Sequence, residues 1–269
     1  MVERYRRAKR KLRLLGNHQK CWIWGRNTVT ETIAAGKWPM LELRLSDALS
    51  PADIDHWRSL ASERQTPVFV EPPDVLRKLC RSGEHQGFLA KMTEFPYDTA
   101  DDLLARRPPR PFYAILDSIQ DPYNFGAILR SADALGVDGV IIGRDKQVGV
   151  TSLVARASAG AVNHVPLFQV VDLADFLRTL ANEGIAVWIA SHSAQRPAHE
   201  CDFSQSSAVI IGNEGRGVRE ELLQLTDRRV TIPQYGRVAS LNVATAASLL
   251  FYEAARQRAV SADAGHGVR

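Results

Sequence analysis

From Phe112 onward the chain alternates short, nearly uninterrupted apolar runs with longer stretches of helical periodicity, and few folds accept that pattern. FYAILD, DGVIIG, IAVWIA, SAVIIG and RRVTIP read as strands, and NHVPLF as a short extended piece. NFGAILRSADALG, Thr151 to Ala157, ADFLRTLANEG, VREELLQLT and a long segment after Asn242 read as helices. A strand apolar on both faces must be covered on both, and an intervening helix supplies the length that a parallel crossover needs. The expectation is an α/β domain over 112–260, built on a parallel sheet with helices on each face.

The preceding segment, 21–93, has a different rhythm. WIWGRNTVTETIAAG suggests an entry and a helix ending near Gly36, LELRLS a strand, and PADIDHWRSLASERQ a helix opened by Pro51. PVFVE, DVLRKLC and HQGFLAKM follow as strand, short helix and strand. A smaller α/β domain is expected here. Between the two, 94–111 carries Pro108, Pro109 and Pro111 and reads as a linker, because proline favours extended, semi-rigid backbone. Residues 261–269 read as a tail.

Composition bounds the chemistry. A hydrophobic content of 45% with 24% charged residues suits a chain that builds a core. No apolar run approaches the roughly 18 residues of a membrane span, and the charged N-terminus is not followed by an apolar stretch, so a cytoplasmic protein is expected. Cys21, Cys80 and Cys201 are odd in number and far apart, which fits neither a disulfide framework nor a zinc site. The seven histidines lack ligand spacing, so no metal is expected. The net charge of +4 is unevenly spread: residues 1–20 hold Arg4, Arg6, Arg7, Lys9, Arg10, Lys11, Arg13 and Lys20 against one acid, Glu3. Such a basic tail attracts polyanions by counterion release; a solubilising tail would look the same.

Three stretches carry polar residues that packing does not require. In DSIQDPYNFGAILRSADALG (Asp117 to Gly136), Asp121-Pro122 signals a turn, Asn124 is a plausible helix cap, and Arg130 interrupts an otherwise apolar helix. The plain reading of Arg130 is a surface side chain with its stem laid along apolar neighbours. In VIIGNEGRGV (Val209 to Val218) a strand runs into a glycine-rich turn before a helix, where open parallel sheets bind ligands. The order G-x-x-G-x-G, late in the domain, is not the dinucleotide fingerprint, so a nicotinamide dehydrogenase is disfavoured. Glu214 in this turn is either a site residue or a solvated loop acid. In TIPQYGRVASLNVATA, Ser240 and Asn242 stand at the start of the last helix, where both cap well, while Val243, Ala246, Ala247, Leu250 and Phe251 recur at helical spacing.

These three blocks, in this order, closely resemble the motifs of the SpoU (TrmH-like) family of RNA ribose 2′-O-methyltransferases over about 112–258. The segment from about 22 to 92 more weakly resembles the ribosomal-protein-like RNA-binding domain that precedes many of its members, chiefly through Gly25, Asn27 and the His85-Gln86-Gly87 turn. The resemblance implies S-adenosyl-L-methionine as cofactor, bound around Gly212, Ile232 and Leu241. It implies Asn124, Arg130, Glu214, Ser240 and Asn242 as catalytic residues, structured RNA as substrate, a trefoil knot in the last third of the sheet, and a homodimer. RASAGAVNHVPL (Arg156 to Leu167) resembles a further family segment, in which Ser158, Gly160 and Ala161 line packing or the substrate entrance. A guanidinium is an awkward general base, which favours Arg130 as a phosphate clamp that stabilises alkoxide charge; the family also allows it as proton acceptor. The two-domain layout and the Arg-Gln-Arg ending of the last helix point to the branch that modifies a guanosine of large-subunit ribosomal RNA. A tRNA substrate is the alternative, and a non-catalytic RNA-binding protein is the rival from another class.

Overall fold

The structure is a computed structural model that describes residues 13–17, 20–238 and 240–266. Most of the basic segment expected over 1–20 therefore lies outside the described residues. The chain forms two compact units, one of residues 1–96 with 150–164, the other of residues 97–149 with 165–269.

The first unit is a four-stranded sheet in the order β1-β4-β2-β3, made of β1 (Trp22–Trp24), β2 (Met40–Ser46), β3 (Val68–Glu71) and β4 (Phe88–Met92). β4 runs antiparallel to β1 and β2, while β2 and β3 are parallel. Helices α1 (Arg26–Ala35), α2 (Pro51–Glu63) and α3 (Pro73–Cys80) connect the strands. Gly36 ends α1 in the left-handed conformation that glycine adopts at no steric cost. Ser50 caps α2 by accepting from Asp53 N, with Pro51 in the first turn. The segment 150–164 joins this unit through α6 (Ser152–Ala157), through Asn163 Nδ2 donating to Thr32 Oγ1 at 3.0 Å, and through the Arg156–Glu84 pair.

The second unit is a six-stranded, wholly parallel sheet. Its strands are β5 (Phe112–Asp117), β6 (Gly139–Gly143), β7 (Leu167–Val170), β8 (Ala186–Ala190), β9 (Ser207–Gly212) and β10 (Arg229–Val230), in the order β10-β8-β9-β5-β6-β7. One face of β5 to β9 packs on Leu103 of α4 (Ala100–Arg106), on Phe176, Leu177 and Leu180 of α7 (Leu173–Asn182), and on Leu222 of α8 (Glu220–Leu223). The other face meets α5 (Pro122–Ala134) and α9 (Val243–His266), where the Phe112 ring lies edge-on to Phe251 at 6.2 Å. Coverage on both faces explains why these strands have no polar side.

Three local expectations are corrected. The stretch expected to be a linker contains α4, nucleated by a reciprocal capping box in which Thr99 Oγ1 accepts from Asp102 N and Asp102 accepts from Thr99 N. Asn124 does not cap α5; Asp121 does, accepting from Tyr123 N, which frees the Asn124 amide. The last helix does not stop before 261 but continues to His266. No helix among the described residues is long and apolar enough to cross a membrane.

Candidate active site

The chain leaves β5 for β6 and β7 on one side, crosses to β8, returns to β9 beside β5, and adds β10 outside β8. β5 and β9 therefore end side by side, with Asp117 opposite Gly212. Crevices at the carboxyl ends of parallel strands, next to such a reversal, are where open α/β sheets hold ligands. A cavity of about 550 Å³ lies at the ends of β8, β9 and β10, lined by Ala190, Gly212, Glu214, Ile232, Ser240 and Leu241 among others. Its size falls within the roughly 300–1,000 Å³ of small-molecule sites.

The loop after β9 is built from its own backbone. Asn213 and Gly217 exchange amide-to-carbonyl bonds of 3.0 and 2.9 Å, and Gly217 takes φ +71° to close the turn. A Cβ on Gly212 would stand 2.3 Å from the Gly217 carbonyl carbon, so only glycine fits there. Asn213 Oδ1 accepts from the amides of Gly215 and Arg216, and Asn213 Nδ2 donates to Ser118 O at 2.9 Å, tying the loop to the end of β5. Asp117 anchors the far end: wholly buried, it accepts from Arg219 N at 2.8 Å and Arg219 Nε at 2.6 Å. The sequence reading missed Asn213, Asp117 and Arg219. An acid ending an otherwise apolar strand was the available signal, because a buried carboxylate requires a partner.

Across the mouth of the cavity a hydrogen-bonded chain joins the three motifs. Asn242 Oδ1 accepts from Ala244 N and Thr245 N, capping α9. That fixes the amide so that Asn242 Nδ2 donates to Asn124 Oδ1 at 3.0 Å. Asn124 Nδ2 then donates to Glu214 Oε1 at 2.8 Å, while Asn213 Nδ2 donates to Glu214 Oε2 at 3.2 Å. Each member's donor and acceptor sense is set by its neighbour.

The expected residues thus fall into two groups. Asn124, Glu214 and Asn242 are mutually bonded, and Gly212, Ile232, Leu241, Ser240 and Glu214 line one cavity. Arg130 stands apart: it is exposed on α5, away from the cavity lining, and Glu214 orients Asn124 rather than Arg130. Apolar side chains beside a backbone-rich loop fit the flat base and polar edges of S-adenosylmethionine. Among the described residues no group of three or more His, Cys, Asp or Glu side chains gathers as a metal site.

Comparisons with known proteins agree with this geometry. Residues 111–252 match the SpoU rRNA Methylase family, and residues 22–98 match an RNA 2'-O ribose methyltransferase substrate binding domain. A Bacillus subtilis protein named as a TrmH family tRNA/rRNA methyltransferase, YacO, is 32% identical over 245 residues, 90% of this chain and 98% of its own length. The 23S rRNA (guanosine-2'-O-)-methyltransferase RlmB of Shewanella oneidensis is 37% identical over 195 residues, 72% of this chain and 79% of its own. The SpoU methyltransferase AviRb of Streptomyces viridochromogenes, solved with AdoMet, superposes with a TM-score of 0.77 at 26% identity, covering 96% of this chain and 99% of that one. With its three motifs joined by one hydrogen-bonded chain and its family match covering all six strands of the parallel sheet, the chain belongs to the SpoU rRNA Methylase family of S-adenosylmethionine-dependent RNA methyltransferases.

Proposed function

We propose that the chain methylates the ribose 2′-hydroxyl of a guanosine in large-subunit ribosomal RNA. The observation that carries this reading is the Asn242–Asn124–Glu214 chain at the mouth of the cavity lined by Gly212, Ile232 and Leu241. It joins a place for the methyl donor to polar groups of defined orientation. S-adenosylmethionine, when bound, supplies an electrophilic methyl on a sulfonium sulfur.

The residues of the chain do the rest. Glu214 and Asn242 hold the Asn124 amide in one orientation, so it positions the ribose without reorganising during reaction. Ser240, at the cavity edge, offers a hydroxyl that donates or accepts. Arg130 clamps the adjacent phosphate and steadies negative charge on the attacking oxygen; the hydroxyl proton leaves to solvent. The first unit, with its match to a substrate-binding domain, selects the RNA.

Two features of the family accompany the reading: a trefoil knot in the last third of the second unit, and a homodimer. In favour of the dimer, the paired helices α5 and α9 leave Tyr123, Leu249 and Tyr252 exposed. In that dimer we assign Arg130 of one subunit to the cavity of the other. A tRNA substrate is the alternative, since the name of the Bacillus relative covers both tRNA and rRNA. Labelled S-adenosylmethionine, incubated with unmodified ribosomal RNA and tRNA transcripts, separates the readings. Label at a ribose 2′-oxygen of a large-subunit guanosine is the expected result, label in tRNA alone selects the alternative, and no label in either pool rejects both.

A further inference from the structure

Because all six strands of the second unit are parallel, the segments after β6, β9 and β10 emerge at the same edge as the cavity. Those segments carry Arg144 and Lys146, Arg216, and Arg237, all exposed. Elsewhere in this unit Arg106, Arg107, Arg178, Arg219, Arg256 and Arg258 each reach a carboxylate, while Arg110, Arg130, Arg196, Arg228 and Arg229 form no ion pair among the described residues. None of the four at the cavity edge forms an ion pair among the described residues. The acids at that edge are mostly engaged. Asp121 and Asp172 cap α5 and α7, and Glu214 accepts from Asn124 and Asn213. Their charge remains, with that of Asp145, so cations and anions stand side by side at this edge. What the four cations lack is an ion-pair partner, so they stay available around a ligand cavity to the phosphates of a polyanion.

The most exposed aromatic ring among the described residues stands beside them. Tyr235 is 95% exposed, next to Gln234, which lines the cavity, and two residues before Arg237. A ring held out in water beside cations gains little within the subunit. An unpaired RNA base, in contrast, offers a π-face to stack on and phosphates on either side. We propose that Tyr235 is a stacking platform for an unpaired base at or beside the target nucleotide, with Arg237, Arg216, Lys146 and Arg144 holding the flanking phosphates. The proposal rests on the RNA-methyltransfer reading and extends it: the catalytic unit grips RNA itself, in addition to the first unit.

The test uses full-length Tyr235→Ala, Tyr235→Leu, Tyr235→Phe and the double Arg216→Ala/Arg237→Ala. Affinity for an unmodified ribosomal RNA transcript is read by filter binding across a salt series, and S-adenosylmethionine affinity by calorimetry. Stacking predicts that Ala and Leu at 235 weaken RNA binding by about tenfold while Phe stays within about twofold, since removing one base–aromatic stack is the whole change. Each arginine removed should lower the slope of log K against log salt by about 0.7–0.9. Cofactor affinity should hold in the three Tyr235 variants. Three results overturn the proposal: full RNA affinity in Tyr235→Ala, Leu performing as well as Phe, or a change of native mass in Tyr235→Ala, which would assign the ring to a second copy of the chain. Methyl transfer by the wild type is measured in parallel. Its absence rejects the proposed reaction, while the affinities still decide whether this edge binds RNA.

Discussion

At the scale of single residues, the site separates groups whose place is fixed from one that is free. Glu214 takes one amide donor on each oxygen. Glutamine in its place keeps the shape but presents an NH2 to one of those donors. If Asn124 turns to avoid it, the bond from Asn242 is lost as well, because Asn124 Oδ1 receives it. Glu214→Gln should lower the single-turnover rate by about tenfold or more, the scale of one charge-assisted hydrogen bond, with cofactor affinity nearly unchanged. A wild-type rate would remove the hydrogen-bonded chain from the mechanism. Arg130 is the opposite case: exposed and away from the cavity lining, it holds little together. Arg130→Ala should change stability by about 0.5 kcal/mol or less, as surface substitutions do. Its kcat should fall on the order of a hundredfold, as for loss of one oxyanion donor. Arg130→Lys discriminates the roles: a two-pronged grip on phosphate predicts a loss close to that of Ala, and simple charge predicts substantial rescue.

At the scale of elements, α4 is the part of the fold that the sequence hid. Three prolines just after it drew the reading toward a linker, and its seven residues are too short for periodicity to speak. The signals it does carry are the Thr99–Asp102 capping box and Leu103, which is 1% exposed in the core beneath the sheet. Leu103→Ala should therefore cost about 2–5 kcal/mol, as large-to-small changes in cores do. Calorimetric unfolding should show it as a clear drop in Tm; an unchanged Tm would mean that α4 is the spacer its prolines suggest. The strands and long helices were legible because their patterns follow burial: FYAILD and SAVIIG are apolar apart from Asp117 and Ser207 since both of their faces are covered. Gly212 and Asn242 were legible because both answer to backbone geometry, one through close approach and the other through capping. Asn213, Asp117 and Arg219 were not, because they act through partners about a hundred positions away, which no local spacing encodes. Asn124 was read as a cap for the same reason: Asp121 is equally able to cap, and only the folded turn chooses between them.

At the scale of the whole molecule, the question is whether one subunit holds a complete site. Helices α5 and α9 lie together, their Ser131 and Ser248 hydroxyls 2.7 Å apart. They leave Leu249 at 42% exposed and Tyr252 at 58%, three residues apart on α9, with Tyr123 at 61% on α5. An apolar face shared by two helices suits a two-fold contact in which each copy presents the same patch. Light scattering at micromolar concentration should report a dimer, and Leu249→Glu with Tyr252→Glu should shift it toward monomer with loss of activity. A fully active monomer would sink the composite site. Mixing two disabled chains gives the more direct answer. In a dimer where Arg130 of one subunit serves the Glu214 cavity of the other, Arg130→Ala and Glu214→Gln chains that exchange partners regenerate intact sites. Random pairing makes half the dimers mixed, and each mixed dimer has one site with both wild-type residues, so activity should recover to about a quarter of the wild-type value. If Arg130 serves its own subunit, every site keeps one lesion and mixing restores nothing. The recovered fraction, measured after partner exchange has been verified by mass, therefore reads out which subunit supplies the arginine.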